Sequence, residues 1–418
     1  MNERVKLLGT ILVSLLLLSI AIYSTYRHYT YQTIHADIVL GKNGVSDGLT
    51  AHLKLTASYD IKVYRNGELV ATRHKDNDPI SINWYKLLAN FLLLGTDSGQ
   101  LFTWYDTSYN THTAIDTEQD TASYTVFETW SYGFFNPKMY IVLGNGTGTP
   151  SLYDYKLFNQ VMSDKASMTV QDDTVNQRFI ITYTRTFLIK QQFTLAEVGL
   201  ELQVDVNTGN SRTLANVLVC HDTVQPSITL YPNDAVSVTY RVEMPYSNAG
   251  VFTEWFYDAI IDYMLGYKGT TGNSLTLKFT SGNTGVIDTG TDGPRGYDDV
   301  DDYVHVNVGT GKATANPLWQ VYNLGNNVAS ESITDTSHFT TIKDTSGNLT
   351  ITYVVVYTFT SAENISEIGL LLHTDRDGSP GNYIADSLLL AYWVLPNPVD
   401  VSAYSGLRVE ITVTIPYS

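Results

Sequence analysis

The sequence contains a single cysteine, Cys220, so the chain can form no internal disulfide bond. Disulfide-dense scaffolds, common among small secreted domains, are therefore excluded. With 418 residues, the chain is long enough to bury two or three apolar cores. We expect those cores to hold the fold without covalent help from cysteine.

Basic residues are also few. The chain has 25 Lys and Arg against 42 Asp and Glu, which gives a formal net charge of -17. Because no basic stripe offsets this charge, a general affinity for nucleic acid phosphates is excluded. Only 16% of the residues are charged, whereas tyrosine and threonine are abundant. This composition is typical of strand-rich extracellular proteins.

Catalytic motifs are missing as well. Cys220-His221-Asp222 has the residue types of a nucleophile, a base and an orienting acid, but consecutive residues of a strand point to opposite faces. Gly309-Thr-Gly-Lys312 has the glycines and lysine of a phosphate cradle, yet Ala313 stands where a P-loop needs Ser or Thr. We therefore predict a protein that is not an enzyme, and a plain inter-strand loop after Gly309.

An apolar segment lies at the N-terminus. Residues 7–26 carry no charge and follow Arg4 and Lys6, and about 20 apolar residues are enough to span a bilayer. We predict that residues 1–26 anchor the chain in a membrane, with the rest outside because positive charge stays on the inner side. A cleaved signal peptide is the alternative, since Ser19-Ile-Ala21 supplies the small residues that a signal peptidase requires.

The rest of the chain contains an internal repeat. Leu195-Ala-Glu-Val-Gly-Leu-Glu-Leu202 recurs as Ile365-Ser-Glu-Ile-Gly-Leu-Leu-Leu372 at an offset of 170. Pro245-Tyr-Ser247 recurs as Pro416-Tyr-Ser418 at an offset of 171. We divide the chain after the anchor into an extended arm or stalk (27–48), a first half (49–247) and a second half (248–418).

Alternating apolar and polar residues predict antiparallel sheets. The segment Val236–Met244 alternates strictly, and so does its counterpart Leu407–Ile415. Such alternation indicates strands with one buried and one solvated face, as in sheets that pack face to face. The predicted fold is mainly β: two tandem antiparallel β-sandwiches, each with one amphipathic helix, after an N-terminal hydrophobic helix.

Each half is predicted to contain one helix. Asp78-Pro79 would begin the first helix, with Asp78 as its N-cap, and Gly95 would end it. The second helix has apolar residues at helical spacing over 252–264. Because the first helix is apolar nearly all round, we expect the sandwich to cover one side of it and a further surface to cover the other.

The halves differ ahead of their helices. Residues 49–74 predict a hairpin around Asn66-Gly67, and the second half has no such hairpin. Its sheet then either borrows the strand Val236–Met244 or leaves an edge that accepts a strand from elsewhere. The arm residues 30–41 are the available donor. Our hypothesis is exchange of this strand between subunits, and pairing within one chain is the alternative.

Each half contains one candidate calcium loop, which supplies at most part of a calcium site. Asp375 and Asp377 stand two apart before a glycine, and Asp205 and Asn207 hold the matching positions in the first half, as oxygen ligands do in calcium loops. No bidentate glutamate follows at loop spacing, so a plain Asx turn is the favoured interpretation. The sequence indicates no cofactor other than the candidate calcium at these loops.

Three sequons would accept N-linked glycans in an exported chain. They begin at Asn145, Asn348 and Asn364. Three is near chance for so threonine-rich a chain, so they agree with export without establishing it.

The order of helix, Gly-Thr-Gly loop, Glu-Val/Ile-Gly-Leu strand and closing alternating strand resembles the β-sandwich surface proteins of archaea and of their viruses. These families include tandem jelly-roll-like subunits of virion vertices or spikes, and pilus or thread subunits joined by donor strands. The resemblance covers residues 49–418. It implies a structural role and transfers no functional residues.

Together these patterns predict an exported, membrane-anchored structural protein. It would assemble with copies of itself, or with other surface or virion subunits, into a spike, a surface layer or a filament, and it would contact the membrane through residues 7–26. The main alternative is an adhesin or carbohydrate-binding module that stacks sugars on the Tyr and Trp side chains between Trp104 and Trp130.

Overall fold

The fold is taken from a computed structural model, in which the backbone is described for residues 31–39, 55–93, 101–112, 137–207, 212–246, 251–286, 303–313, 320–332, 339–345, 347–377 and 383–417. Side chains are described within these ranges except at 31–39, 205–207, 212–213, 269, 303, 332, 339–341, 375–377 and 383–385. The predicted anchor, residues 1–26, lies outside them. Within the described ranges, no helix is long and apolar enough to cross a membrane.

Strands make up most of the described chain. Those of the arm and the first half are β1 (Tyr31–Val39), β2 (Thr56–Arg65), β3 (Glu68–Asp78), β4 (Trp104–Tyr105), β5 (Thr111–His112), β6 (Lys138–Gly144), β7 (Gln160–Lys165), β8 (Ser167–Asp173), β9 (Arg178–Leu188), β10 (Phe193–Asn207), β11 (Arg212–Leu230) and β12 (Ala235–Pro245). Those of the second half are β13 (Leu277–Lys278), β14 (Thr284–Gly285), β15 (Tyr303–Gly309), β16 (Asn327–Ser332), β17 (Phe339–Thr345), β18 (Asn348–Thr358), β19 (Glu363–Asp377), β20 (Tyr383–Val401) and β21 (Gly406–Pro416).

Four larger sheets contain most of these strands. Their orders are β3-β2-β12-β9-β8 and β11-β10-β6-β7 in the first half, and β1-β21-β18-β17 and β16-β15-β19-β20 in the second. Every pairing in them is antiparallel except that of β1 with β21. The predicted mainly β fold with antiparallel sheets is therefore confirmed.

The pairings recur from one half to the other. β10 and β19 each have 15 residues, and β11 and β20 each have 19. The closing strands β12 and β21 both have 11 residues and alternate between buried and less buried positions. The hairpin of β2 and β3 is also as predicted, with Asn66 and Gly67 at φ 51° and 85°, the positive values that a tight hairpin turn requires.

The helix α1 (Ile82–Phe91) begins later than predicted. Its N-cap is Ser81, whose side chain accepts a hydrogen bond from the Asn83 amide at 3.2 Å. Asp78 instead ends β3, and Ile80 still forms an antiparallel bridge with Cys220. The prediction of Asp78 as N-cap was wrong because strand pairing with β11 keeps the chain extended as far as Ile80.

The helical part of the second half is interrupted. It consists of α2 (Glu254–Ala259), a π-helical turn (Ile260–Met264) and α3 (Tyr267–Thr271). Thr253 caps α2, as its hydroxyl accepts from the Phe256 amide at 3.3 Å.

The helices lie where the two halves meet. α1 packs against β11 of its own half, and against β18 and the π-helical turn of the second half. The indole nitrogen of Trp84, fully buried, donates to the Met264 carbonyl at 2.8 Å. Accordingly, the largest buried apolar cluster is continuous through both halves. The two halves therefore share their main core, because the surface that covers the far side of α1 belongs to the other half.

Candidate functional site

The edge of β21 is completed by the arm. β1 pairs with β21 in parallel, from Tyr31 opposite Gly406 to Val39 opposite Thr414. On its other side β21 pairs with β18. In the first half β12 lies in the same way between β2 and β9, so β1 occupies the sheet position that β2 occupies there.

The sequence left two possibilities for the second half: it borrows the strand Val236–Met244, or its sheet has an edge that accepts a strand from elsewhere. Val236–Met244 belongs to β12, whose neighbours are β2 and β9, so the second half does not borrow it and that alternative was wrong. The arm is the donor instead. Within one chain it gives the backbone groups along this side of β21 a partner strand, and an open strand edge would otherwise present those groups to any other chain.

Each half has one glutamate at the matching position of the repeat, Glu197 in the first and Glu367 in the second. We call them the cradle glutamates. Both are completely buried. Glu197 accepts hydrogen bonds from the backbone amides of Gly146, Phe158 (2.6 Å) and Asn159 (3.1 Å). Glu197 thus ties two separate loops to the middle of β10.

Glu367 has the matching arrangement in the second half. It accepts from the backbone amides of Asn326 at 2.9 Å and Ala313 at 3.2 Å, and from the Tyr392 hydroxyl at 2.8 Å. The loop that begins at Gly309 is therefore held by a carboxylate. Its glycines leave room for that carboxylate, since a Cβ at Gly309 would lie 2.6 Å from Oε1 of Glu367.

A β-bulge precedes each cradle glutamate. The register of β10 against β11 shifts between Leu195 and Glu197, and that of β19 against β20 shifts between Ile365 and Glu367. Bulges re-aim the side chain that follows them. The sequence repeat Glu-Val/Ile-Gly-Leu thus corresponds to a repeated bulge with a buried carboxylate. The role of these glutamates was missed, although a glutamate inside an apolar strand in both halves was a visible signal.

His221 lies beside Glu197 in the first half, where the second half has Tyr392. Its Nε2 is 3.1 Å from Glu197 Oε2, and its Nδ1 is 2.8 Å from Asp154 Oδ2. Each ring nitrogen of His221 thus has its own carboxylate partner. Through its contact with Asp154, His221 joins β11 to the 151–159 loop.

The three residues of the Cys-His-Asp sequence do not converge. Cys220 is fully buried in the core, and burial raises the pKa of its thiol well above the usual range. His221 bonds Glu197 and Asp154, whereas Asp222 pairs with Lys75. Alternation along β11 accounts for this separation, as the sequence predicted.

The candidate calcium ligands have extended backbones. Asp205 and Asn207 lie opposite Leu214 and Arg212 at the end of β10, while Asp375 and Asp377 lie opposite Ala385 and Tyr383 at the end of β19. Both strands run further than the predicted turn, because β11 and β20 pair with them to the last residue. Their side chains lie outside the described residues, so calcium binding stays a prediction. Among the described side chains, no group of three His, Cys, Asp or Glu is placed to hold a metal ion.

The sequon asparagines have different surroundings. Asn364 is exposed and donates to Asp400 Oδ1 at 2.5 Å. Asn348 is half-buried at the start of β18. Asn145 is half-buried in the Glu197 loop, where its side-chain oxygen accepts from Asn159 Nδ2 at 2.5 Å.

The predicted aromatic binding surface is only partly described. Trp104 is fully buried, so it was wrongly placed on a stacking surface. Trp130 lies outside the described residues. Exposed aromatic rings do occur nearby: Tyr109 is 61% exposed, stacks on Tyr105 with ring centroids 5.0 Å apart, and lies 4.8 Å from the Tyr155 ring.

Comparison of the chain with protein families, with curated proteins and with solved structures found no match. What the chain does is therefore inferred from its own geometry.

Proposed function

We propose that the chain is an exported structural subunit made of two tandem β-sandwiches, anchored in a membrane by residues 1–26, and that it assembles into a surface structure such as a spike, layer or filament. Assembly proceeds by exchange of the arm strand β1 between copies. Neither catalysis nor nucleic acid binding is part of this function. The observation that carries the proposal is the parallel pairing of β1 with β21.

A parallel edge strand that precedes every other described strand suits exchange. The β21 edge is the same surface in every copy, so the arm of a neighbour can form the same nine-residue register that the chain's own arm forms. Backbone hydrogen bonds supply most of the affinity in such strand addition, and they do not depend on which copy provides the strand. Successive exchange then links copies head to tail.

Cysteine pairs placed across the ladder test this proposal. Thr33 lies opposite Arg408, so we would introduce Thr33→Cys and Arg408→Cys together in the full-length Cys220→Ala chain and oxidise it. Disulfide-linked dimers and longer ladders on a non-reducing gel are expected, because the strand comes from a neighbour. Each single-cysteine chain is the control and should give at most dimers. A purely intrachain disulfide would refute exchange and leave a self-completed monomer.

The orientation in the membrane has its own test. Protease added to intact cells or particles should digest both sandwiches, because residues beyond 26 are expected outside the membrane. Complete protection of the chain would contradict this orientation.

Glycan binding is the second candidate function, favoured by the exposed ring cluster of Tyr105, Tyr109 and Tyr155. Sugars commonly bind over aromatic faces that are already held in place by their neighbours. Tyr109→Ala should abolish glycan binding measured by calorimetry or on an array. Tyr404→Ala is the matched control, since Tyr404 is 76% exposed and belongs to the opposite end of the chain. Absence of binding by the unmodified chain, or equal binding by both variants, would exclude this site.

A further inference from the structure

Beyond the assembly edge, the end of β3 is held closely against β11. Tyr59, whose partner across β2 and β3 is Lys75, donates its hydroxyl proton to the Thr223 carbonyl at 2.9 Å. Arg73 Nε donates to the Pro226 carbonyl at 2.6 Å. β3 and β11 are edge strands of the two different sheets of the first half, so these contacts close one side of that half.

Two buried aspartates, Asp78 and Asp222, lie on the two strands of this seam. Ile80 bridges Cys220 in antiparallel register, and the Ser81 amide donates to the Val219 carbonyl at 2.8 Å. Extending this register by two residues would set Asp78 opposite Asp222, and the charge of Asp222 does act on the Asp78 carboxyl group. Both aspartates are only 2% exposed.

Lys75 contacts one of these two aspartates, Asp222. Lys75 Nζ is 2.5 Å from each carboxylate oxygen of Asp222. The side chain of Lys75 is 45% exposed, whereas that of Asp222 is 2% exposed. Neither oxygen of Asp78 has a hydrogen bond of normal geometry among the described residues. Lys75 therefore contacts one buried carboxyl group, that of Asp222, and the charges of both residues act on a second buried carboxyl group, that of Asp78.

The protonation of the pair follows from its surroundings. Two carboxyl groups whose charges act on each other away from water do not both ionise readily. Burial, and then the charge of Asp222, raise the pKa of Asp78 well above its usual range, while the Tyr240 hydroxyl and the Lys75 charge oppose this shift. Asp78 is accordingly the neutral carboxylic acid, and Asp222 is the partner of the lysine.

We propose that Lys75 and Asp222 become joined by an intramolecular isopeptide bond, with Asp78 as the group that relays the protons. The Lys75 ammonium loses one proton through Asp78 to a carboxylate oxygen of Asp222. The neutral Nζ attacks Cγ of Asp222, and the tetrahedral carbon forms. Nitrogen gives up a second proton by the same route, the C–O bond breaks and one water molecule leaves. Ammonium and carboxylate become amide and water, and no oxidant, metal or activating group is required.

The bond would give the chain the covalent support that its single cysteine cannot. It would join the edges of two sheets and close a loop between residues 147 positions apart. A cross-link of this kind restricts the unfolded chain more than the folded one. The second half has Trp393 at the position equivalent to Asp222, so only the first half carries the cross-link.

Peptide mapping of the purified full-length chain tests the proposal. Digestion and mass spectrometry should yield a branched peptide that contains both Lys75 and Asp222, lighter by one water molecule than the two linear peptides together. Lys75→Arg keeps the positive charge but cannot form this amide, and it should give only linear peptides. Asp78→Asn keeps the side-chain shape but removes the relay, and its branched peptide should be absent or form far more slowly.

Circular dichroism checks that both variants fold. If Asp78→Asn does not fold, the Lys75→Arg chain alone still tests whether the cross-link forms. Recovery of only the linear Lys75 and Asp222 peptides from folded wild-type chain, even after prolonged incubation at neutral pH, would overturn the proposal and leave an ordinary ion pair. A branched peptide that persists in folded Asp78→Asn would overturn the role of Asp78. Neither result depends on whether the arm is exchanged between copies.

Discussion

Tyr183 donates its hydroxyl proton to the Leu265 carbonyl at 2.8 Å, across the boundary between the two halves. Tyr353, its counterpart in the second half, donates to the Leu92 carbonyl in the first. Both tyrosines are fully buried. Both carbonyls lie at helix C-caps, where carbonyls lack partners within the helix. Each half therefore completes the end of the other half's helix.

Removal of either hydroxyl should weaken the whole molecule. We expect Tyr183→Phe and Tyr353→Phe each to lower the free energy of unfolding by roughly 1–3 kcal/mol, because a buried carbonyl loses its partner. Urea unfolding followed by circular dichroism measures the change. Tyr140→Phe is the matched control, since its hydroxyl only reaches Gln203 Oε1 at 3.4 Å. A loss no larger than that of the control would contradict the proposed importance of the boundary contacts.

The cradle glutamates should be sensitive to loss of charge alone. Glu197→Gln and Glu367→Gln place an amide group against backbone donors, so each should cost roughly 2–4 kcal/mol of folding free energy. Hydrogen exchange should speed up at the amides of Phe158 and Asn326 in the corresponding variant. The exposed Glu68→Gln serves as the control. Unchanged exchange at those amides would mean that the carboxylates do not hold the loops.

Stability should fall as the pH rises through neutrality. Burial is the main cause that raises the pKa of both Glu201 and Asp262 to about 7, and neither side chain is exposed. A raised folded-state pKa means that the protonated folded form is favoured: this stabilisation is complete below the unfolded-state pKa and is lost as the pH passes about 7.

Thermal melts between pH 5 and 9 measure this loss. Between its unfolded-state pKa and its folded-state pKa of about 7, each group should remove ~1.4 kcal/mol of stability per pH unit, because only the folded protein holds the proton there. Above the folded-state pKa both states are ionised, and the group no longer contributes to the slope. The Glu201→Gln and Asp262→Asn variants should each have a flatter profile. A wild-type profile that is already flat across this range would refute the shifts.

The Cys220 thiol should be inert in the folded chain. Its raised pKa and complete burial keep both the thiolate form and access to reagents scarce. We expect a thiol reagent to label Cys220 only at the rate of unfolding. Val175→Cys in a Cys220→Ala background is the positive control, because Val175 is 88% exposed. Rapid labelling of Cys220 in native buffer would contradict its position in the core.

Calcium is tested by thermal stability. If Asp375 and Asp377 bind the ion in the folded state only, calcium should raise Tm by mass action and a chelator should lower it. The double variant Asp375→Asn and Asp377→Asn should lose the response. An equal Tm with calcium and with chelator would rule out the site.

Sequence patterns predict strands well where only one face is buried. The alternation of β12 and β21 is regular for this reason, and Asn66-Gly67 identifies the β2–β3 turn by its φ requirement. β20 gives no such pattern, because Leu388, Leu389 and Leu390 are all completely buried and its two faces are both covered. Apolar runs of this kind do not distinguish strand from helix.

At the candidate sites, contacts between residues far apart in the chain limit what the sequence alone can predict. Asp78-Pro79 has the local features of a helix start, but Ile80 pairs with Cys220, more than a hundred residues away, and no local signal reports that. The sequence does suggest an incomplete sheet edge in the second half, since the halves differ in their strands. It cannot specify the parallel direction of β1, which depends on how the rest of the chain returns to that edge.

The pairing of the first described strand with the last has a kinetic consequence. Because all other described strands lie between β1 and β21 in the chain, self-pairing requires the most distant contact of the fold, and such contacts form slowly. Self-pairing proceeds at a rate that is independent of how many chains are present, whereas capture of a neighbour's arm accelerates with their local concentration. Dilute chains would close on themselves, and crowded chains would polymerise. The density at which chains are delivered to one place would thus decide between monomer and polymer, without any other signal.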